Sequence, residues 1–326
     1  MKKKALITGI TGQSGSYLAE VLLSKGYEVH GMLRRISHPN VENIAHICGS
    51  ITLHYGDMID GSSIHNVIDL VRPDEIYNLA AMSQVRISYD TPASTIDINT
   101  LGFLRVIEAV RNLELGAKIY QASSSEMFGK VQETPQKETT VFYPRSPYGI
   151  SKVASHHLAR TYREGYNMKI YTGILFNHES PRRGSEFLSR KVCKGVADIV
   201  KGKIKKLTLG NLEAKRDFGY AKEYMEWVWT IMQHHTPDDF IIATGETHSI
   251  KEFVAEAFKV AGINNWEDYV DFDKSLLRAA EVDLLQGDCT KAKEVLGFVP
   301  KVKFYELVKI MMDAELNKIA LHPYIS

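Results

Sequence analysis

Near its N-terminus the chain reads Ala5-Leu6-Ile7-Thr8-Gly9-Ile10-Thr11-Gly12-Gln13-Ser14-Gly15, a short apolar run followed by three spaced glycines. The apolar run predicts a buried strand, and the helical spacing of residues 17–25 predicts a helix directly after the glycines. Glycines in this context let the backbone approach a pyrophosphate, which the helix N-terminus then attracts. The segment therefore predicts a dinucleotide-binding turn, with the spacing GxxGxxG rather than GxGxxG.

The end of the second predicted strand, residues 28–33, distinguishes between two dinucleotides. An acid at this position would bind the ribose hydroxyls of NAD, whereas an arginine suits the additional phosphate of NADP. The chain has Arg34 and Arg35 here and no acid. Because a guanidinium pairs with phosphate through two charge-assisted hydrogen bonds, we expect NADP to be the cofactor.

Strands and helices continue to alternate as far as residue 176. Strands are expected at 51–54, 75–79, 118–122 and 169–175, with helices at 62–71 and 95–113 between them. This order predicts an α/β fold with a doubly wound parallel sheet of the Rossmann type. We expect residues 1–176 to form an NADP-binding domain and residues 177–326 to form mainly a smaller C-terminal α/β substrate-binding lobe. A strand around residues 239–244 is expected to rejoin the sheet.

Polar residues and glycines follow several of these strands. Because parallel strands present their carboxyl ends at one edge of a sheet, these residues should converge there. They are Gly9, Arg35, Asp57, Asn78, Ser124 and Asn177.

A candidate catalytic group surrounds the fifth strand and the helix after it. Tyr148 and Lys152 stand one turn apart on that helix, so both side chains share one face. A lysine beside a tyrosine favours the phenolate, so Tyr148 could act as a base below its free pKa. Ser124 and Glu126, at the end of the strand, could supply a hydroxyl and a second acid or base.

Composition and the spacing of the cysteines give weaker indications of the partners, the compartment and the metal content of the protein. The net charge of +1 gives no case for nucleic acid or an anionic membrane as a partner. Cys48, Cys193 and Cys289 are widely scattered, which fits a reducing cytoplasm and shows no metal-ligand spacing. The basic start at residues 2–4 precedes too short an apolar run for a signal peptide or a membrane span. We therefore expect a cytoplasmic protein without a metal site.

Several longer sequence motifs resemble those of the GDP-mannose 4,6-dehydratases, a family of extended short-chain dehydrogenases. These are residues 78–81 (NLAA), 177–184 (NHESPRRG), 209–212 (LGNL), 214–217 (AKRD), 281–283 (EVD) and 286–291 (QGDCTK), together with the glycines and the Tyr-Lys pair. The resemblance extends from about Lys4 to about Leu307. Ser14 stands where the family usually has an acid, Ser124 replaces its usual threonine, Ser94 replaces a frequent tyrosine, and the segment before Glu281 is short.

The resemblance implies an internal redox reaction of a GDP-sugar. Tyr148, assisted by Lys152, would take the proton of the C4 hydroxyl, while hydride passes from C4 to NADP and later returns at C6. Glu126 would remove the C5 proton and protonate the departing C6 hydroxyl, and Ser124 would polarise the new ketone. The product would be a 4-keto-6-deoxy sugar.

The resemblance also implies which residues bind the cofactor and the sugar nucleotide. The cofactor would contact the glycine turn, Arg34, Arg35, Tyr148, Lys152 and residues near them: Thr11, Gln13, Ser14, Asp57, Met58, Leu79, Ala80, Ala81, Met82, Ser83, His178 and Arg183. The substrate would contact Ser83, Ser124, Asn177, Lys191, Arg216, Arg278 and Glu281.

Several alternatives remain open at this point. GDP-mannose is the simplest substrate, but a GDP-heptose or a GDP-N-acetylhexosamine would also suit the pattern. An epimerase or reductase of the same fold is the second reading, against which Glu126 argues, and a non-catalytic NADP-binding redox sensor is the third. The polar segment 35–41, with Pro39, corresponds to a family loop that reaches a neighbouring subunit, so we expect a homodimer or homotetramer.

Overall fold

The computed structural model describes residues 2–37, 40–277 and 280–320, with side chains as far as Asn317. The strands, in chain order, are β1 Lys4–Thr8, β2 Glu28–Leu33, β3 Ile51–Tyr55, β4 Glu75–Asn78, β5 Lys118–Ser124, β6 Ile170–Leu175, β7 Asn177–Glu179, β8 Leu207–Leu209, β9 Lys215–Arg216, β10 Phe218–Tyr220, β11 Asp239–Ile242, β12 His248–Ser249, β13 Val270–Phe272 and β14 Leu284–Leu285.

The helices connect these strands in the expected alternation. They are α1 Gln13–Ser24, α2 Gly61–Val71, α3 Val85–Asp90, α4 Pro92–Ile96, α5 Gly102–Asn112, α6 Pro147–Tyr166, α7 Leu188–Val200, α8 Ala221–Gln233, α9 Ile250–Val260, α10 Thr290–Leu296 and α11 Phe304–Ala320. Short 3-10 segments lie at Glu42–Ser50, Ser125–Met127, Trp266–Tyr269 and Lys274–Leu276. Among the described residues, no helix combines the length and apolar composition needed to cross a bilayer.

Seven strands form the central sheet in the order β11-β6-β5-β4-β1-β2-β3, and every pairing in it is parallel. Apart from the added edge strand β11, this is the doubly wound Rossmann order, whose direction reverses between β1 and β4. The predicted fold class is therefore confirmed. Sheets of this order bind dinucleotides at the reversal, above the carboxyl ends of the strands that here are β1 and β4.

Alternation along β1 separates two cores. Ile7 belongs to a cluster with Leu18 and Met225 on one face of the sheet, whereas Leu6 belongs to a cluster with Ile64 and Phe103 on the other. Successive residues of a strand point to opposite faces, so both faces of this sheet are covered by helices. This burial on both sides explains the continuous apolar run Ala5-Leu6-Ile7 in β1.

A separate hydrophobic core lies in the C-terminal half of the chain. It joins α7, α9 and α11 through side chains that include Val192, Phe253 and Met311. The chain also returns to the main sheet, because β11 pairs in parallel with β6 through Asp239 and Thr172. The division at residue 176 itself stays a prediction.

The predicted helix 95–113 differs most from the structure. The helical chain begins earlier, at Pro92, and contains a π-helical segment at Asp97–Leu101 between α4 and α5. A π segment inserts an extra residue into the helical turn and re-aims the side chains around it. Here it turns Asn99 inward, where the residue is 3% exposed.

Candidate active site

The glycine turn between β1 and α1 requires its glycines sterically. Gly9 has φ +71°, and a Cβ on it would lie 2.9 Å from the Cα of Ala80. A Cβ on Gly15 would lie 2.3 Å from the Gly9 carbonyl oxygen, so the helix could not approach the turn. Gly12 donates its N–H to the same oxygen at 3.1 Å and supplies no side-chain cap for α1. The first N–H groups of α1 therefore form an uncapped positive end suited to a phosphate.

A buried chain of hydrogen bonds aligns the strand ends around this turn. Thr8 donates from Oγ1 to Asn78 Oδ1 at 2.8 Å, and Asn78 Nδ2 donates to Gln121 Oε1 at 2.7 Å. Thr8 Oγ1 also accepts the backbone N–H groups of Leu79 and Ala80, each at 3.1 Å. The carboxyl ends of β1, β4 and β5 are thereby held together. The chain after Asn78, which contains the predicted cofactor residues 79–83, starts directly beside Gly9.

His178 joins the predicted cofactor residues of the turn to β7. Its Nδ1 donates to the Phe176 carbonyl at 2.9 Å, so its Nε2 accepts from Ser14 Oγ at 3.0 Å. Burial, together with the charge of Arg183, lowers the pKa of His178 to about 4, so the ring is neutral at physiological pH. Gln13 reaches the same place, because its Nε2 donates to the His178 carbonyl at 3.0 Å.

Tyr148 lies on the first turn of α6 and faces the other predicted catalytic groups. The side chain is 9% exposed, as is that of Ser124 at the end of β5. Burial raises the pKa of Tyr148, a hydrogen bond with Ser124 and the charge of Arg183 oppose this rise, and the negative charge of Glu126 adds to it. Ser124, Glu126 and Arg183 therefore all influence the phenol of Tyr148. Three of the four predicted catalytic side chains thus share one site.

Lys152 completes the group on the next turn of α6. Its Nζ donates to the Ala122 carbonyl of β5 at 2.8 Å and lies 5.8 Å from the centre of the Tyr148 ring. We expected Lys152 to lower the pKa of Tyr148. The structure contradicts this expectation, because burial dominates and the pKa of Tyr148 is raised. Removal of the proton from Tyr148 therefore also depends on Ser124 and Arg183.

The buried Lys152 predicts a pH dependence of stability. Burial lowers its pKa from 10.5 to about 8, so between these values the unfolded chain binds a proton that the folded chain lacks. This side chain alone therefore makes the free energy of unfolding rise with pH in that window. We expect Lys152→Met to remove the rise in urea unfolding compared at about pH 8 and about pH 10. Lys309→Met, at an exposed lysine paired with Asp313, is the control, and an unchanged slope in Lys152→Met would contradict the effect.

Comparison with known proteins identifies the family. The model of the GDP-mannose 4,6 dehydratase family matches residues 6–311. The chain is 49% identical to GDP-mannose 4,6 dehydratase of Homo sapiens over an alignment 345 residues long. The alignment covers 98% of this chain and 93% of the human protein. It is 50% identical to GDP-mannose 4,6 dehydratase 1 of Arabidopsis thaliana over 328 residues, covering 97% and 90% of the two chains. The chain belongs to the GDP-mannose 4,6 dehydratase family.

Solved structures agree with the fold of this family member. The dTDP-glucose 4,6-dehydratase DesIV of Streptomyces venezuelae superposes with a TM-score of 0.87 at 20% sequence identity, covering 98% of each chain. At this identity the likeness supports the fold alone. The suspected family and the Rossmann-type architecture are thus both confirmed.

In this GDP-mannose 4,6 dehydratase family member, two predicted cofactor residues stand exposed beside the turn. Arg34 and Arg35 follow β2 and form no hydrogen bond or ion pair within the part of the chain that the structure describes. Asp57 follows β3, and the neighbouring Met58 is buried against Gly102, where a Cβ would lie 2.9 Å from the Met58 Cβ. The two cations are thus available to an anionic ligand.

Arg183 is held by the segment that follows β7. Its Nε lies 3.2 Å from Glu179 Oε2, and its guanidinium lies over the Phe187 ring, 3.9 Å from the centre. Its charge influences both Tyr148 and His178. The predicted cofactor residue Arg183 is therefore close enough to affect both Tyr148 and His178.

The predicted substrate residues are more dispersed. Asn177 is the first residue of β7, and Arg216 is buried on β9, where its Nη1 donates to the Lys215 carbonyl at 2.9 Å. Lys191 on α7 donates from Nζ to the Thr208 carbonyl at 2.9 Å. Glu281 is partly buried just before β14. Arg278 lies outside the described residues.

Asn99, which sequence reasoning missed, connects the predicted cofactor loop at Met82 to helix α6. Its Oδ1 accepts the Met82 N–H at 2.8 Å, and its Nδ2 donates to the Met82 carbonyl at 3.0 Å and to Ser151 Oγ at 2.9 Å. Ser151 precedes Lys152, so Asn99 fixes the predicted cofactor loop against α6. The sequence does contain a signal for this irregularity. Asn99, Thr100 and Gly102 are all weak helix formers, and they lie close together inside a predicted helix.

Proposed function

We propose that this protein converts GDP-mannose, or a close GDP-sugar, into the corresponding GDP-4-keto-6-deoxy sugar with NADP as its cofactor. Relatives of nearly full length make it a GDP-sugar 4,6-dehydratase by family. The observation that carries the reaction is the buried phenol of Tyr148, whose pKa is influenced by Ser124 and by the charge of Glu126. A hydroxyl, a phenolic base and a carboxylate around one point fit the proton transfers of such a reaction.

Each of these side chains has one proton to hold or move. Tyr148 accepts the proton of the sugar C4 hydroxyl, and Ser124 donates a hydrogen bond to the same oxygen as the carbonyl develops. A ketone at C4 acidifies the proton at C5, which Glu126 removes. The carboxylic acid so formed then protonates the hydroxyl that leaves C6. When bound, NADP would accept the hydride from C4 and return it to C6, while a proton from solvent would be added at C5 to complete the 4-keto-6-deoxy sugar.

Glu126 favours a dehydratase over an epimerase or reductase of the same fold. Inversion or reduction at C4 needs no base at C5, whereas elimination of water across C5 and C6 needs one. Glu126 is partly buried next to Ser124, whose hydroxyl accepts the Glu126 backbone N–H at 3.3 Å. This bond holds the Glu126 backbone at the end of β5, the strand that carries Ser124.

The glycine turn fits a dinucleotide, since Gly9 and Gly15 allow the close packing of the turn and α1, whose first N–H groups have no side-chain cap. The turn would hold the pyrophosphate, residues 79–83 and His178 would border the nicotinamide half, and Arg34 and Arg35 would hold the phosphate on the adenosine ribose. The Streptomyces venezuelae relative was solved with NAD, so the fold does not choose between cofactors. The two exposed arginines carry the proposal of NADP.

Arg35→Ala should separate the two cofactors. Removing one guanidinium from the phosphate should weaken NADP binding by about 10-fold or more, whereas NAD, which lacks that phosphate, should bind nearly unchanged. Fluorescence titration of both cofactors measures this ratio. Arg72→Ala, at an exposed arginine paired with Asp69, is the control. Tighter binding of NAD than of NADP by the unchanged protein would reject the assignment.

For the sugar nucleotide, we propose that Ser83, Ser124, Asn177, Lys191, Arg216, Arg278 and Glu281 form the substrate site. Two phosphates need about two cations, which Lys191, Arg216 and Arg278 can supply. GDP-heptose and GDP-N-acetylhexosamine are the alternative substrates. Incubation with each GDP-sugar in deuterated water, followed by mass spectrometry, should detect loss of one water and uptake of deuterium at C5 from the true substrate. Loss of water from none of them would overturn the proposed function.

We also propose a cytoplasmic homodimer or homotetramer without nucleic-acid or membrane partners. Large apolar side chains are exposed on or beside α5 and α6, namely Leu101 (42%), Ile150 (50%) and Tyr166 (56%). Apolar side chains in such positions favour contact with another subunit. The segment 35–41, of which His38 and Pro39 lie outside the described residues, would make a second contact. Sedimentation at micromolar concentration would reveal a monomer if the proposal is wrong.

A further inference from the structure

A buried carboxylate outside the catalytic group connects three distant segments of the chain. Asp217 is 0% exposed and lies between β9 and β10. Its Oδ1 accepts from the Thr244 N–H and the Thr244 hydroxyl, each at 2.7 Å, and its Oδ2 accepts from the Gly245 N–H at 2.8 Å and the Gly287 N–H at 3.4 Å. All four groups are donors, so the site requires an acceptor with two oxygens.

The strand next to Asp217 carries Arg216. β9 is the central strand of a small sheet in which Arg216 pairs with His248 on one side and Leu285 on the other. The Asp217 N–H donates to the Leu285 carbonyl at 3.1 Å. Asp217 therefore fastens the end of β9 to the chain after β11 and to the chain after β14. Moving its carboxylate would move the backbone that presents Arg216.

The segment after β14 extends this connection to the catalytic loop. Gly287 packs so closely that a Cβ would lie 2.3 Å from the Ala243 Cβ. Gln136, 0% exposed in the loop between β5 and α6, bridges to Gly287. Its Oε1 accepts the Gln286 N–H at 2.9 Å, and its carbonyl accepts the Asp288 N–H at 2.8 Å. The two ends of that loop carry Glu126 and Tyr148.

We infer that Asp217 is a positioning residue for the nucleotide sugar, which fixes Arg216 relative to the loop that carries the catalytic side chains. This inference rests on the proposed function, because it takes Arg216 as a ligand of the diphosphate. Asp217 would act through the backbone of β9 and would not contact the substrate itself. The dinucleotide turn does not share these contacts, so cofactor binding should be independent of Asp217.

Asp217→Asn is the direct test, since it keeps the size of the side chain and turns one accepting oxygen into a donor. The new N–H₂ group would face backbone N–H donors, so the three segments would separate locally. We expect the dissociation constant of GDP and the KM for the GDP-sugar to rise about 10-fold or more, with kcat changed less than about 3-fold. NADP affinity should stay unchanged.

Thr244→Val is a milder test of the same contact, and we expect this variant to keep the fold. It removes the hydroxyl donor at 2.7 Å while retaining the shape of the side chain, so the same rise in KM should appear at smaller size. Thr244→Ser retains the donor and should behave as the unchanged protein. Asp313→Asn, at an aspartate that pairs with Lys309 and whose side chain is 45% exposed, is the matched control.

The possible outcomes distinguish failure of this inference from failure of the proposed function. Calorimetric titration with GDP needs no turnover, so failure of the unchanged protein to bind GDP would reject the proposed function. If the unchanged protein binds GDP and Asp217→Asn binds it equally well, the positioning role is rejected. Equal loss of GDP and NADP binding would mean a general structural role and would also reject it. If Asp217→Asn does not fold, an unchanged KM in Thr244→Val rejects the inference.

Discussion

Glu126→Gln is expected to stop the reaction after oxidation at C4. The amide is nearly isosteric with the carboxylate but cannot accept the C5 proton, while Tyr148 and Ser124 keep their places. Removing a positioned acid–base group costs about 10²–10⁴ in rate, so the 4-keto hexose should accumulate. A single-turnover trace at the absorbance of reduced nicotinamide should rise and then fail to decay, and deuterium should not enter C5.

The control for this change is Glu164→Gln, at an exposed acid on α6. It should leave the rise and the decay of the trace unaltered. Formation of the 6-deoxy product by Glu126→Gln at nearly the unchanged rate would remove Glu126 from the mechanism. The epimerase or reductase reading would then regain support, and more so if the unchanged protein made its product without taking up deuterium.

Tyr148→Phe should act earlier and abolish even the first absorbance change. The ring and its packing on α6 remain, but the group that accepts the proton of the C4 hydroxyl is gone. The expected loss is again about 10²–10⁴ or more in the rate of oxidation. Because burial raises the pKa of Tyr148, the rate of this step in the unchanged protein should also increase with pH, as more of the phenol loses its proton.

Tyr166→Phe is the matched control, since Tyr166 lies on the same helix and is 56% exposed. It should retain full activity. A normal burst of reduced nicotinamide in Tyr148→Phe would show that another group takes the C4 proton, and Lys152, whose pKa burial lowers to about 8, would become the candidate. Calorimetry with NADP verifies that both variants still bind cofactor.

Local patterns were sufficient to predict the parallel sheet and the positions of its central strands along the chain. A strand, a glycine turn and a helix near residue 9 dictate the first crossover, and parallel topology then brings Gly9, Asn78 and Ser124 to one edge. The proximity of Ser124 and Tyr148 followed from the same reasoning. Topology places residues at the correct edge without knowledge of any individual contact.

Other features depend on contacts between residues far apart in sequence. The two-residue strands β9, β12 and β14 have no periodicity of their own and exist because they pair with one another. The inward position of Asn99 arises from a π segment, which a pattern of period 3.6 cannot reveal. The pKa of Tyr148 was misjudged because a Tyr-Lys pair in sequence does not show how deeply the phenol is buried.

The edge strand β11 comes from a much later part of the chain than its neighbour β6, and this has a consequence for synthesis on the ribosome. The edge of β6 is covered only when Asp239–Ile242 emerges, after α7, α8 and four short strands have been made. Until then the nascent chain exposes an unpaired, apolar strand edge of the kind that joins other chains. A translational pause while Asp239–Ile242 is still inside the ribosome should therefore increase aggregation, whereas a pause after this segment has emerged should not.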